Sequence, residues 1–176
     1  MTPIAKYYSS EEGHKNTSIA VQVFGGAGYT EDYDISRMFR DSRINTIYEG
    51  TSQIHVRIAT GAILAGMAGD GNFRKYLNSL KAEIGSPSTF LLEQERVLEE
   101  SIRVMRNIQE EVKKETVAEN LMIQMARYLC SLLYEKSISK IKDSDSKEIW
   151  QKDCRAYVID SAATAQSCLY RIQYFD

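Results

Sequence analysis

Apolar positions recur at helical spacing through most of this 176-residue chain, and no run alternates apolar with polar long enough to predict a strand. The clearest period comes late. Leu91, Val97, Leu98, Ile102, Met105, Ile108 and Val112 share one face of a helix expected from Phe90 to Lys114. Leu121, Met125, Tyr128, Leu129 and Leu132 mark a second, from Val117 to Ile141. Trp150, Cys154, Tyr157, Val158, Ala162, Ala165 and Leu169 mark a third, from Ser146 to Tyr174. The polar turn Lys140–Ser146 before the third predicts an antiparallel return. Earlier helices are weaker. Ile4 to Val23 carries Ile4, Tyr8, Ile19 and Val23 around a polar middle, with Pro3 suited to its first turn. Gly25, Gly26 and Gly28 end it in a loop. Ser36 to Arg43 is a short helix. Thr51 to Ala65 is another, with Ile54, Ile58, Ile63 and Leu64 as its apolar side. Phe73 to Lys81 follows. The breaks at Gly66–Gly71 and Gly85–Ser88 divide these segments, and the first is the expected boundary between residues 1–66 and a helical extension, 67–176. The fold expected is all-α, an antiparallel helical bundle.

Composition narrows the class. Hydrophobic residues make up 43% and charged residues 26%, within the globular range, and a net charge of −2 argues against nucleic-acid binding. No apolar run approaches the roughly 20 residues of a membrane span. Met1-Thr2-Pro3 has no basic-then-apolar secretory layout, so a cytoplasmic setting is expected. Cys130, Cys154 and Cys168 form no CxxC pair and fall in helical segments, and His14 and His55 stand apart; reduced thiols and no metal site are expected.

Candidate chemistry concentrates in Ile47-Tyr48-Glu49-Gly50-Thr51-Ser52-Gln53-Ile54. A carboxylate at the end of an apolar, aromatic run is expected to be partly desolvated, which raises a carboxyl pKa toward that of a working base. The helix starting after it offers backbone N–H groups to a carbonyl oxygen or phosphate. The plainer alternative is an acidic residue placed near a helix N-terminus by the dipole. The Gly-rich piece reads GGAG and follows no strand pattern, so it is neither a dinucleotide fingerprint nor a P-loop.

Three motifs in order change the balance: Gln22-Val23-Phe24-Gly25-Gly26-Ala27-Gly28-Tyr29, then Arg37-Met38-Phe39-Arg40-Asp41-Ser42-Arg43-Ile44, then Ile47-Tyr48-Glu49-Gly50-Thr51. With these gaps they resemble the last part of the acyl-CoA dehydrogenase family, over about a third of the chain, Pro3 to Ala65. The resemblance implies a parent enzyme that oxidises acyl-CoA to trans-2-enoyl-CoA, Glu49 taking the α-proton and FAD the hydride. It implies that Gln22, Gly25 and Gly26 reach the ADP part of FAD on a neighbouring subunit. It likewise places Thr51 and Gln53 at the adenine and pyrophosphate side. Tyr48 and Gly50 would border the acyl group, although a core tyrosine is an equal reading of Tyr48. Arg37, Arg40, Asp41 and Arg43 would form structural ion pairs. An electron-transfer flavoprotein or another acceptor, and a homo-oligomer, are the implied partners.

Two departures stand out. Asp34 occupies a usual proline position, and Gly61 a frequent arginine position, which puts local helix contacts in doubt. Nothing reads as the family's flavin-holding β domain, so the expectation is a C-terminal piece, inactive by itself. Residues after Gly66 resemble the extra helical region of longer members. Two alternatives stay open: a non-enzymatic helical module for oligomerisation or partner binding, and a degenerate member in which Glu49 is structural.

Overall fold

The computed structural model describes residues 1–175. Among them there are helices and turns and no strand: α1 (Thr2–Phe24), α2 (Gly26–Tyr29), α3 (Asp34–Ile44), α4 (Ser52–Gly66), α5 (Asn72–Ile84), α6 (Thr89–Asn107), α7 (Glu111–Ser139) and α8 (Ser144–Gln173). The all-α expectation holds. The chain forms two compact units, residues 1–59 and the residues from Thr60 onward. No helix among the described residues is long and apolar enough to cross a membrane.

In the first unit α1 packs along α3, and α2 touches both. Pro3 sits in the first turn of α1, where its missing N–H costs nothing. Gly25 ends the helix at φ 62°, a conformation that favours glycine. The chain then coils once more as α2, where a loop was expected; Thr30 closes that turn through its N–H and hydroxyl, both donated to the Ala27 carbonyl. Apolar burial is sparse, with Ile4, Tyr7, Val56 and Ala59 the buried hydrophobic residues. Polar bonds supply much of the order. Ser42 Oγ lies 2.9 Å from His14 Nδ1 and 2.8 Å from Thr17 Oγ1, joining α1 to α3, and the His14 ring stacks on Phe39 at 4.9 Å.

The second unit holds the main core. α7 and α8 pack along each other and both pack on α6, while α5 lies against α7. The face expected for α6 is buried from Leu91 to Met105, and Leu121, Met125, Tyr128, Leu129 and Leu132 are buried on α7. Cys154, Val158, Ala162, Ala165 and Leu169 do the same on α8. One boundary differs. The helix expected to run to Lys114 stops at Asn107, and Ile108 takes an extended backbone. The apolar period does continue to Val112, but that residue is 71% exposed. Reversal at 108–110 is what lets α7 run back along α6, and that tertiary gain outweighs local periodicity.

The face of α4 also differs from expectation. Ile54 and Ile58 are exposed, and the buried positions are Val56, Ala59, Thr60 and Ile63. The sequence offers apolar residues on both sides of this helix, so period alone does not choose between them.

Polar residues fix the register of the second core. Buried Gln94 donates from Nε2 to the Val158 carbonyl at 3.1 Å and accepts from Ser131 Oγ at 3.1 Å. Buried Gln124 donates to the Ala165 carbonyl at 2.8 Å. Arg74 forks onto both Glu99 carboxylate oxygens at 2.6 and 2.9 Å and also reaches the Met67 carbonyl, tying the turn after α4 to α6. Arg106 donates to the Leu64 carbonyl at 2.7 Å, near the end of α4.

Candidate functional site

The stretch 45–51 is a tight turn between α3 and α4. Thr46, Ile47 and Tyr48 continue the coil of α3 through i→i−3 and i→i−4 bonds, and Ser52 N–H donates back to the Thr46 carbonyl at 3.2 Å. The Ser52 hydroxyl donates to the Glu11 carboxylate, anchoring the start of α4 to α1. Lys6 donates to the Asn45 carbonyl, and its ammonium sits 5.0 Å from the centre of the Tyr48 ring. The turn is therefore held from three sides by α1 and its own backbone.

Within it Glu49 has φ 54°, the left-handed region that non-glycine residues seldom occupy, and Gly50 follows at φ 100°. Such a conformation costs on the order of 1 kcal/mol and persists where surroundings over-determine it. His55, on the first turn of α4, supplies part of that determination. Its Nε2–H donates to the Glu49 carbonyl at 3.2 Å, which requires the proton on Nε2 and leaves a buried Nδ1 acceptor without a partner. Sequence reasoning missed this role. The only available signal was a polar side chain one helical turn after a Gly-Thr-Ser start. Among the described residues, no hydrogen bond uses the Glu49 N–H.

The expected desolvation of Glu49 is absent within this chain. Glu49 is exposed, and Ile47 and Tyr48 beside it are about half exposed, so the apolar neighbours do not close over the carboxylate. Tyr48 is thus not a core tyrosine here. The residues expected to meet a flavin also lie open. Gln22, Gly25, Gly26 and Gln53 are exposed and Thr51, just before α4, is half-buried. Nothing crowds the backbone at Gly25 or Gly26 within 4 Å of where a side chain would begin. Tyr29 is 85% and Val23 79% exposed in the same motif. Arg37 pairs with Asp34 at 3.3 Å and Arg40 with Glu31 at 3.1 Å. Both are surface pairs, because α3 turns these charged positions outward.

Residues 1–64, which include this turn, match the family model described as acyl-CoA dehydrogenase, C-terminal domain. Among similar proteins is the short/branched chain specific acyl-CoA dehydrogenase, mitochondrial, of Rattus norvegicus. It is 51% identical over 53 residues, which are 30% of this chain and 12% of that protein. The short-chain specific acyl-CoA dehydrogenase of Megasphaera elsdenii is 44% identical over 61 residues, 35% of this chain and 16% of that one. The caffeyl-CoA reductase-Etf complex subunit CarC of Acetobacterium woodii is 46% identical over 61 residues, 35% of this chain and 16% of its own length. The matched segments thus span well under a fifth of these relatives. An acyl-CoA dehydrogenase from Bacillus anthracis, solved in complex with FAD, has a similar fold over 97% of this chain and 32% of its own. The TM-score is 0.70 at 20% identity. That likeness extends the fold comparison beyond residue 64.

Proposed function

We propose that this chain forms the C-terminal part of a longer FAD-dependent acyl-CoA dehydrogenase, and that Glu49 is its base. The observation that carries this is the turn: a carboxylate on a strained, externally braced residue, beside a backbone N–H that takes part in no hydrogen bond among the described residues. Strain held in place by surrounding bonds is a mark of functional positions. Glu49 would remove the proton next to the thioester carbonyl. Its own N–H would donate to the thioester oxygen as negative charge develops there. Closure of the carboxylate from water would come from groups outside this chain. FAD, when bound, supplies the acceptor for the hydride leaving the adjacent carbon, so the product is a trans-2-enoyl-CoA. Gln22, Gly25 and Gly26 would hold its ADP part and Thr51 and Gln53 its adenine and pyrophosphate side. The open backbone at Gly25 and Gly26 fits a ligand carried in by another subunit. Tyr48 and Gly50 would line the acyl group. An electron-transfer flavoprotein or a similar acceptor would reoxidise the cofactor, in keeping with the Etf complex named for the Acetobacterium woodii relative.

The test is Glu49→Gln in the longer enzyme. Acyl-CoA oxidation should fall by a factor of about 10² to 10⁴, the usual worth of a general base, while the flavin absorbance is retained. Near-normal turnover in that variant would end the assignment.

A second reading is favoured by the position of the main core, which lies from Thr60 onward and so almost wholly beyond the matched residues 1–64. On that reading residues 67–176 form a helical oligomerisation or partner-binding module. Adding FAD to the longer protein distinguishes the two readings. The dehydrogenase reading expects stoichiometric flavin there and none on the 176-residue chain alone, whereas the module reading expects none on either.

A further inference from the structure

The second unit contains a cleft of about 560 Å³ that the dehydrogenase reading does not use. It lies where the 84–90 connection, the end of α7 and the first half of α8 meet. We propose that this cleft binds a small amphiphilic monoanion: a short apolar chain ending in one carboxylate.

The size is right for such a ligand, since small-molecule sites run from about 300 to 1,000 Å³. The floor is apolar. Cys154 and Val158 line it and are almost fully buried, and Ile84, Phe90 and Ile138 form the walls. Cys154 is an inert part of that floor, its thiol pushed up to about 11 by burial. One edge is cationic by construction. Lys147, Gln151 and Arg155 succeed one another at i, i+4 and i+8 on α8, so they form a single row along the cleft. Among the described residues no carboxylate pairs with Lys147 or Arg155, whereas Arg127 and Lys136 of α7 each pair with a carboxylate on a neighbouring helix.

The one carboxylate in the lining, Glu135, is already committed. It accepts from the Ser88 hydroxyl at 2.5 Å and from the Ser88 N–H at 3.3 Å, bracing the start of α6. Two cations against one carboxylate leave a single positive charge to be matched. A carboxylate supplies one negative charge, and an arginine fork holds its two oxygens in parallel bonds. A phosphate monoester carries about −1.5 to −2 at neutral pH and exceeds what the cleft offers. The apolar floor next to the charged row then requires the ligand to have a hydrocarbon end.

The experiment uses the whole 176-residue chain, isotope-labelled, titrated with sodium octanoate and followed by amide NMR. Saturable shifts should appear at Ser86, Ser139 and Gln151. Arg155→Ala and Lys147→Ala should each weaken binding about tenfold. Lys152→Ala, whose side chain pairs with Glu148 at 2.7 Å away from the cleft, should not. Circular dichroism confirms that each variant keeps its helices; if an alanine variant does not, the glutamine variant at the same position takes its place. Equal binding of octylammonium, tighter binding of octyl phosphate, shifts confined to residues 1–59, or unchanged affinity in both cationic-row variants would each overturn the proposal. So would the absence of any saturable shift.

Discussion

At the scale of single residues, the motif residues were legible as types and illegible as environments. Ile47-Tyr48-Glu49-Gly50 announced a carboxylate among apolar side chains, but whether those side chains close over it depends on neighbours that the motif does not encode. The backbone strain at Glu49 was equally hidden, because glycine at position 50 explains only its own φ. That strain makes a prediction. Glu49→Gly should stabilise the turn's conformation, whereas Gly50→Ala should weaken it, by roughly 1 kcal/mol, through an unfavourable φ and the His55 ring 3.1 Å from the added carbon. Urea unfolding of the two variants tests the opposite signs. The buried glutamines were also invisible to hydrophobic patterning, since each occupies a helix position that reads as a polar interruption. Gln94→Leu removes the donor to Val158 and strands the Ser131 hydroxyl, and should cost about 1–3 kcal/mol by the same measurement. A neutral outcome would mean that apolar packing alone sustains this layer.

At the scale of elements, strong period sufficed for α6, α7 and α8, and failed where tertiary packing had to choose. The turn at 108–110 lies inside a continuous apolar pattern, and α4 offers two candidate faces. Caps and ion pairs supply what the pattern omits. Ser88 caps α6 by accepting from the Leu91 N–H at 3.3 Å while also holding Glu135. Ser88→Ala should therefore cost more than the typical ~1 kcal/mol of an N-cap alone, visible as a lower melting temperature. The pairs Glu83–Lys136, Glu93–Arg96 and Glu100–Arg103 hold all three carboxyls below their ordinary 4.5, chiefly through the hydrogen bond from the basic partner. A carboxyl depressed in the folded state favours folding above its unfolded value and loses that contribution as pH falls through its folded value. The urea midpoint should thus hold steady from pH 7 to 5 and decline below about 4.5. The Glu83→Gln, Glu93→Gln, Glu100→Gln triple variant should show a flatter decline. All three carboxyls are at the surface, so the effect is small and salt weakens it.

At the scale of the whole molecule, apolar surface is distributed unevenly. The second unit holds most of the buried large side chains, while the first buries few and exposes Ile19, Val23, Tyr29, Ile47 and Ile54. Exposed apolar surface of this kind favours association, so light scattering should show a concentration-dependent rise in mass; a clean monomer at high concentration would count against it. The two glutamine bonds carry a different consequence, one of length. Gln94 on α6 and Gln124 on α7 each grip a carbonyl of α8, at Val158 and at Ala165. One extra residue between those carbonyls turns the rest of α8 by about 100° and advances it about 1.5 Å, so both grips cannot survive together. An inserted alanine at 140–143, in the turn before α8, lengthens only a connection. Insertion scanning along α8 should therefore find the interval 158–165 closed to change and the turn open, making these two amides the ruler against which the helix is cut.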